Sequence, residues 1–408
     1  MDYDELLEAA LELGYQMALC GAETYRVEES VRRMLKSYGT HGEVWAIPNC
    51  IIISMDTGDE CPRTRMRRIP NHGTDLDGVE RFSALSRRLC AQRPSLPEAM
   101  ELLAQARAGK RVYPLAVQLG ADFLAAGGFT VFSGGRLTDF FGSGLCGIAT
   151  GLCLRAMGRL NTNTFFKTVV SGFIMALLAC MLERAGAASN VDAVIIGALM
   201  ILVPGLLFIN SVRDVIYGDT NSGINRLVEV LIIAVALAVG TGAAVSLSRT
   251  LFGAAERMST QSWPLPLECL ACFIGCLGFA GLFNLHGRGV WLCVTGSILC
   301  WLTYRLGLHL GCTDLMSFFL ASLAASFYAE IMARVRKFPA ASYLIVSLFP
   351  LIPGGGIYYA MDHMVRGELN EFTATGLHTA GIAGVMAVAI ILVATLFRMW
   401  GMRNKRKL

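Results

Sequence analysis

From residue 113 onward the chain alternates long apolar runs with short polar breaks. Most of the runs approach or exceed the ~18–20 residues a helix needs to cross a bilayer core. Ten such segments are expected, at roughly 113–133, 137–157, 165–184, 192–211, 224–248, 264–284, 288–304, 315–334, 340–361 and 374–398. Residues 1–112 read differently. They predict helices at about 2–20 and 24–38, a strand-rich stretch at 42–69 bounded by Pro48-Asn49 and Gly58, and helices at about 76–92 and 97–110. Pro97-Glu98 suits a helix start, since proline lacks the N–H that a first turn leaves unpaired. The last strand candidate, "TRMRRI", is basic and alternates poorly.

The two copies of one phrase sharpen this picture. "LVPGLLFINSVRDVIYGDTNSG" (Leu202–Gly223) breaks an apolar run at Pro204-Gly205 and then turns polar, and "LIPGGGIYYAMDHMVRGELNEF" (Leu351–Phe372) does the same at Pro353-Gly354. The offset is 353 − 204 = 149, and at that offset Gly218 meets Gly367, Asp219 meets Glu368 and Asn221 meets Asn370. Thr162-Asn163 and Thr313-Asp314 precede the third span of each copy at an offset of 151. Ordered matches of this kind point to an ancient duplication. Five spans per copy turn the second copy upside down relative to the first, as in secondary transporters whose substrate lies between two inverted halves. The proline-glycine breaks would then free backbone groups to line a watery path.

The expected fold class is therefore an all-α polytopic membrane protein of ten transmembrane helices in two inverted five-helix repeats, 113–248 and 264–400. A small cytoplasmic α/β domain (1–112) precedes them and a basic tail (401–408) follows. The opening "MDYDELLEAALELGYQ" lacks the basic and apolar regions of a secretory signal, so the N-terminal module is expected in the cytoplasm. With that end inside, the inner loops carry nine Lys/Arg and the outer ones six, and the tail adds five more inside.

Composition agrees: 54% of the 408 residues are hydrophobic and 16% charged. The net charge of +4 is too small and scattered for a nucleic-acid partner. Nine of the thirteen cysteines lie in or beside apolar spans, where free cysteine behaves as a small apolar residue; no metal and no cofactor is expected. The six histidines are dispersed, with no H-E-x-x-H, G-x-S-x-G or G-x-x-x-x-G-K-[ST], which argues against an enzyme or an ATP-driven pump. "MDTGDE" (Met55–Glu60) has no second D-T-G to share a proton and reads as a turn.

Two motifs carry a resemblance. "GAETYRVEESVRRM" (Gly21–Met34) and "LVPGLLFINSVRDVIYGDTNSGINR" resemble signature segments of the threonine/serine exporter family, and the half around "LIPGGGIY" is similar to that family's second, smaller membrane module. The resemblance implies a bacterial plasma-membrane protein that exports small hydrophilic metabolites from the cytoplasm using an ion gradient. Single-chain members imply L-threonine and L-serine, and two-subunit relatives imply dicarboxylates such as succinate.

Candidate site residues follow. Asn210, Arg213, Asp214, Asp219 and Asn221, with Glu368 and Asn370 in the second copy, offer donors and acceptors for a zwitterion; Pro204, Gly205, Pro353 and Gly354 form the helix breaks. A site rich in acids leans towards an amino acid and away from a dicarboxylate. Proton coupling needs a titratable group within the membrane, where such groups are costly and usually functional. Asp122 in the first span is the first candidate, then Glu229 and His378, themselves 149 apart. In the soluble module, Glu23, Arg26 and Glu28 sit near a helix start, where an Arg26–Glu23 ion pair is the default and docking onto an inner gate the alternative. The expected partners are a small-molecule substrate, a coupling proton and membrane lipid, and a homo-oligomer is compatible with the sequence. A receptor without transport activity is the alternative of another class.

Overall fold

The computed structural model describes residues 2–57, 62–70, 73–160, 162–216, 218–253, 261–336 and 338–405. Of the expected turn at Met55–Glu60, Met55 and Asp56 belong to a strand, and residues 58–60 lie outside the described residues, as does the end of the basic tail. The described residues divide into two units. One comprises Met1–Tyr113 with the segments Phe283–Gly287 and Met332–Ser342; the other comprises Pro114–Leu282, Arg288–Ile331 and Tyr343–Leu408.

The first unit runs α1 (Tyr3–Leu19), α2 (Thr24–Ser37), β1 (His41–Ile47), β2 (Cys50–Asp56), β3 (Arg63–Arg68), α3 (Leu76–Gln92) and α4 (Leu96–Ala108). Asp2 starts α1 by accepting from the Asp4 and Glu5 N–H groups, the usual work of a capping carboxylate. The three strands form one antiparallel sheet in the order β1-β2-β3. Ile51, Ile53 and Met55 alternate inward along β2 and meet Leu6, Leu13, Val31 and Leu35 in the core.

"TRMRRI" proves to be part of a strand, and its basic residues have a structural reason. Arg63, Arg65 and Arg67 on β3 pair with Asp4, Glu8 and Glu12 on α1. Two residues of strand rise ~6.7 Å and four residues of helix rise ~6 Å, so the two charge rows stay in step. These pairs are partly exposed, and each is worth about 0.2–1 kcal/mol. Burial against neighbouring side chains and Asp75 pushes the Cys20 thiol up to about 12.

The connecting segment Phe283–Gly287 is stitched into this unit. The Leu76 N–H donates to the Phe283 carbonyl at 3.0 Å. Asn284 Nδ2 donates to Asp75 at 2.9 Å and to the Arg111 carbonyl at 2.6 Å. The Tyr113 hydroxyl donates to the Leu285 carbonyl, and its ring stacks on His286 with centroids 4.2 Å apart.

The second unit holds α5 (Leu115–Phe132), α6 (Leu137–Arg159), α7 (Thr164–Arg184), α8 (Val191–Leu199), α9 (Gly205–Ile216) and α10 (Thr220–Phe252). It continues with α11 (Leu265–Leu282), α12 (Arg288–His309), α13 (Asp314–Arg336), α14 (Ala340–Ser347), α15 (Gly354–Val365) and α16 (Leu369–Lys405). Each of the first six helices has a counterpart. The α7 and α13 starts differ by 314 − 164 = 150, the α9 and α15 starts by 354 − 205 = 149, and the α10 and α16 starts by 369 − 220 = 149. The N-cap residues correspond one position closer than the sequence suggests: Asn163 accepts from the Phe166 N–H and Thr313 from the Met316 N–H, at 313 − 163 = 150.

Helices α5 and α11 meet with reciprocal contacts. A Cβ on Gly128 would fall 2.6 Å from Gly275 Cα and 2.9 Å from the Ala271 carbonyl; one on Gly278 would fall 2.8 Å from Ala125 Cα and 2.6 Å from the Ala121 carbonyl. Adding 150 to Gly128, Ala121 and Ala125 gives Gly278, Ala271 and Gly275. The two sets of contacts are one contact seen twice. The late residue of each helix touches early residues of the other, so the helices cross antiparallel.

Ten spans are expected, and the helices differ. Among the described residues eight are long and apolar enough to cross a membrane, with a ninth if the bent pair Ala340–Ser347 and Phe349–Met364 is one span. Residues 192–211 form no single continuous helix, because α8 ends at Leu199 and α9 begins only after Pro204, which has no N–H to carry a helix through.

Candidate functional site

Both proline-glycine breaks interrupt helices. Between α14 and α15, residues Phe349–Leu351 tighten into a 3-10 turn and the axis bends by 42°. The second break sits against the first. The Gly354 position lies beside Met200, so that a Cβ there would fall 3.7 Å from Met200 Cγ. One turn on, Tyr358 is buried in the apolar cluster that also holds Ile195, Ile196 and Leu199 of α8, and its hydroxyl donates to Asp192 at 3.0 Å.

Beside this contact a cavity of about 200 Å³ opens between α10 and α15. Its polar wall is Thr241, Ser246 and Arg249 from α10, and Tyr358, Asp362 and Arg366 from α15 and its C-cap. Arg366 pairs with Asp362 at 2.7 Å. The cavity lies at the far end of α10 from Arg226: 23 residues of helix separate Arg226 from Arg249, ~34 Å of rise, close to the ~30 Å of a bilayer core.

The sequence-predicted polar residues gather elsewhere. Asp214 is buried at the α9–α10 turn and pairs with Arg226 at 3.1 Å. Asp219 occupies the N-cap position of α10, with Asn221 exposed in the first turn and Asn210 half-buried on α9. The Arg213 side chain lies outside what is described. At the α15–α16 turn, Glu368 Oε2 lies 2.6 Å from His363 Nδ1, and Asn370 is exposed. These are two separate clusters, and neither lines the cavity. Sequence reasoning missed Thr241, Ser246 and Arg249 as a set, although Arg249 and Arg398 stand 398 − 249 = 149 apart and carry the repeat signal.

Asp122 is buried on α5 and bound by Arg155 of α6 at 2.7 Å, while Arg155 Nε donates to Gln118 at 3.0 Å. Positions 150 residues later meet in a similar way: Arg305, 150 beyond Arg155, pairs with Glu268, 150 beyond Gln118, at 3.4 Å, while Cys272 stands where Asp122 would correspond. Glu268 also accepts from Trp301 Nε1 at 3.2 Å. Glu229 is half-buried on α10; His378 is exposed on α16 and lies 3.3 Å from Asp314. Another buried carboxylate, Asp139, accepts from the Arg136, Ser189 and Asn190 N–H groups and ties the start of α6 to the start of α8. In the first unit the expected Arg26–Glu23 pair is present at 3.5 Å. Glu28 holds Arg32 at 2.6 Å and also accepts from the Ala46 N–H of β1, which ties α2 to the sheet.

Comparison with known proteins decides the family. Residues 8–248 match the family described as "Putative threonine/serine exporter", and residues 268–396 match the one described as "Threonine/Serine exporter, ThrE". The chain belongs to the threonine/serine exporter family. Similar proteins agree. A "Threonine/serine exporter" of Corynebacterium glutamicum is 22% identical over 404 residues, covering 95% of this chain and 80% of the relative. A "Probable threonine/serine exporter" of Mycobacterium tuberculosis is 21% identical, covering 88% and 69%. A "Pheromone-regulated membrane protein 10" of Kluyveromyces lactis is 23% identical, covering 85% of this chain and 37% of its own length. No solved structure matches the exporter. It is thus a multi-pass membrane protein of a family of amino acid exporters.

Proposed function

We propose that this exporter moves L-threonine and L-serine out of the bacterial cytoplasm by alternating access. In this reading ten spans form two inverted five-helix repeats, with α8 and α9 together as the broken fourth span and α14 and α15 as the broken ninth. The observation that carries it is the reciprocal α5–α11 contact, in which residues 150 apart exchange roles across an antiparallel crossing. An even number of spans leaves both termini inside, where Lys/Arg counting also puts them. Segments Phe283–Gly287 and Met332–Ser342, which that counting assigns to the inside, fall in the same unit as residues 1–113. That supports one side for all three and a cytoplasmic α/β module.

The coupling ion in this reading is a proton and its acceptor is Asp122. While ionised, Asp122 holds Arg155; protonation releases Arg155 and with it the link between α5 and α6. A proton arriving from one side thereby biases an element with two arrangements.

The test is counterflow in proteoliposomes with labelled L-threonine, L-serine and succinate, with and without an imposed pH gradient. Threonine or serine should exchange, faster with the gradient. Movement of succinate alone would reject the substrate.

A further inference from the structure

Two stripes face each other across the α10–α15 cavity. Thr241, Val245 and Arg249 recur every four residues on α10, and Tyr358, Asp362 and Arg366 recur every four residues on α15 and its C-cap. Side chains four apart stack on one helix face. Each stripe thus climbs from a hydroxyl to an arginine.

We propose that this cavity is the outward-facing binding site for a small hydroxylated amino acid, with Arg249 taking its α-carboxylate and Asp362 its α-ammonium. The inference rests on the exporter reading and names the residues that would recognise its cargo. At about 200 Å³ the space is below the ~300–1,000 Å³ of pockets for drug-sized ligands, which suits a metabolite of a few heavy atoms. Its charged groups are two guanidinium groups and one carboxylate. Arg366 is engaged by Asp362 at 2.7 Å, whereas Arg249 has no ion-pair partner among the described residues. An incoming carboxylate therefore meets Arg249. A carboxylate accepts several hydrogen bonds, so Asp362 can hold Arg366 and an ammonium together.

The hydroxyl groups set the rest. Thr241 Oγ1 already donates to the Leu237 carbonyl at 2.7 Å, and Tyr358 already donates to Asp192. Each is left with acceptor capacity only, so what fits between them is a donor, such as the side-chain hydroxyl of serine or threonine. Ala238 and Val245 supply an apolar wall for the threonine methyl. A dicarboxylate would bring a second anion against Asp362, and a plain aliphatic amino acid would leave the two acceptors unmatched.

The experiment uses the full-length protein, with threonine binding measured in detergent and counterflow measured in proteoliposomes. Threonine, alanine and 3-hydroxybutyrate, which lacks the amino group, serve as competitors. Asp362→Asn should weaken threonine by about tenfold or more, the scale of a lost charge-assisted hydrogen bond, and leave 3-hydroxybutyrate unchanged. Asp362→Glu should keep the preference for threonine over 3-hydroxybutyrate. Arg249→Gln should weaken both compounds. Thermal melts of each variant separate lost binding from lost folding. Equal weakening of threonine and 3-hydroxybutyrate by Asp362→Asn, in protein that still melts cooperatively, would overturn the assignment, as would unchanged threonine binding by Arg249→Gln. Threonine bound by wild type but never moved would sink the exporter reading and leave the site standing.

Discussion

Alanine at Gly128 or at Gly278 gives the sharpest test of the paired halves. The new methyl would come within 2.6–2.9 Å of backbone atoms on the opposing helix at either position, where ordinary contact begins near 3.4 Å. Backbone cannot rotate aside as a side chain end can. Helices α5 and α11 must therefore separate by several tenths of an ångström along the crossing, at about 1–3 kcal/mol for either substitution. Because one separation relieves both clashes, Gly128→Ala with Gly278→Ala should cost less than the two single costs combined. Thermal melts in a single detergent, with the singles and the double side by side, read this directly. A silent Gly278→Ala beside a damaging Gly128→Ala would refute the reciprocal crossing, and full additivity would refute the shared relief.

Other outcomes follow from particular groups. Asp122→Asn should leave threonine counterflow in place and abolish its acceleration by a pH gradient, and it should destabilise the protein by up to about 3–5 kcal/mol because Arg155 loses its carboxylate; retained acceleration in proteoliposomes would move coupling elsewhere. Asp139→Ala strands three N–H groups at the α6–α8 junction and should cost about 2 kcal/mol or more, visible as a lower melting temperature without a change in substrate preference. Cys20 should resist alkylation at neutral pH until the first unit unfolds. Its thiol is held up to about 12 by burial while an unfolded cysteine titrates near ~8.5, so its contribution to stability is intact below that lower value and is lost as the pH climbs towards the upper one.

Much of the architecture is written in local pattern. The helices of residues 1–112 and several apolar helices, such as α5 and α7, fall within a few residues of their expected bounds because apolar period and turn residues act locally. The fourth and ninth expected spans are broken, however, and the last helix overruns its expected bounds. The break at Pro204 is equally local, since a missing N–H ends a helix wherever it falls. What the pattern cannot carry is which faces meet. Arg63, Arg65 and Arg67 look wrong for a strand until Asp4, Glu8 and Glu12 lie opposite them. Asp122 reads as a lone carboxylate until Arg155, 33 residues away, comes beside it. The residues around Asp214 and Asp219 are neighbours along the chain, and they lie at the α9–α10 turn. The cavity draws on α10 and α15, more than 100 residues apart, which only tertiary packing joins.

Alternating access between inverted halves is tested most directly by cysteine accessibility at one repeat position on both sides. Ser246, at the cavity, and Thr395 stand 395 − 246 = 149 apart, and both are exposed. Ser246→Cys should react with a membrane-impermeant maleimide added outside and Thr395→Cys with the same reagent added inside, and saturating threonine should change the two rates in opposite directions. Two rates that rise or fall together, or two sites labelled from the same side, would contradict the account.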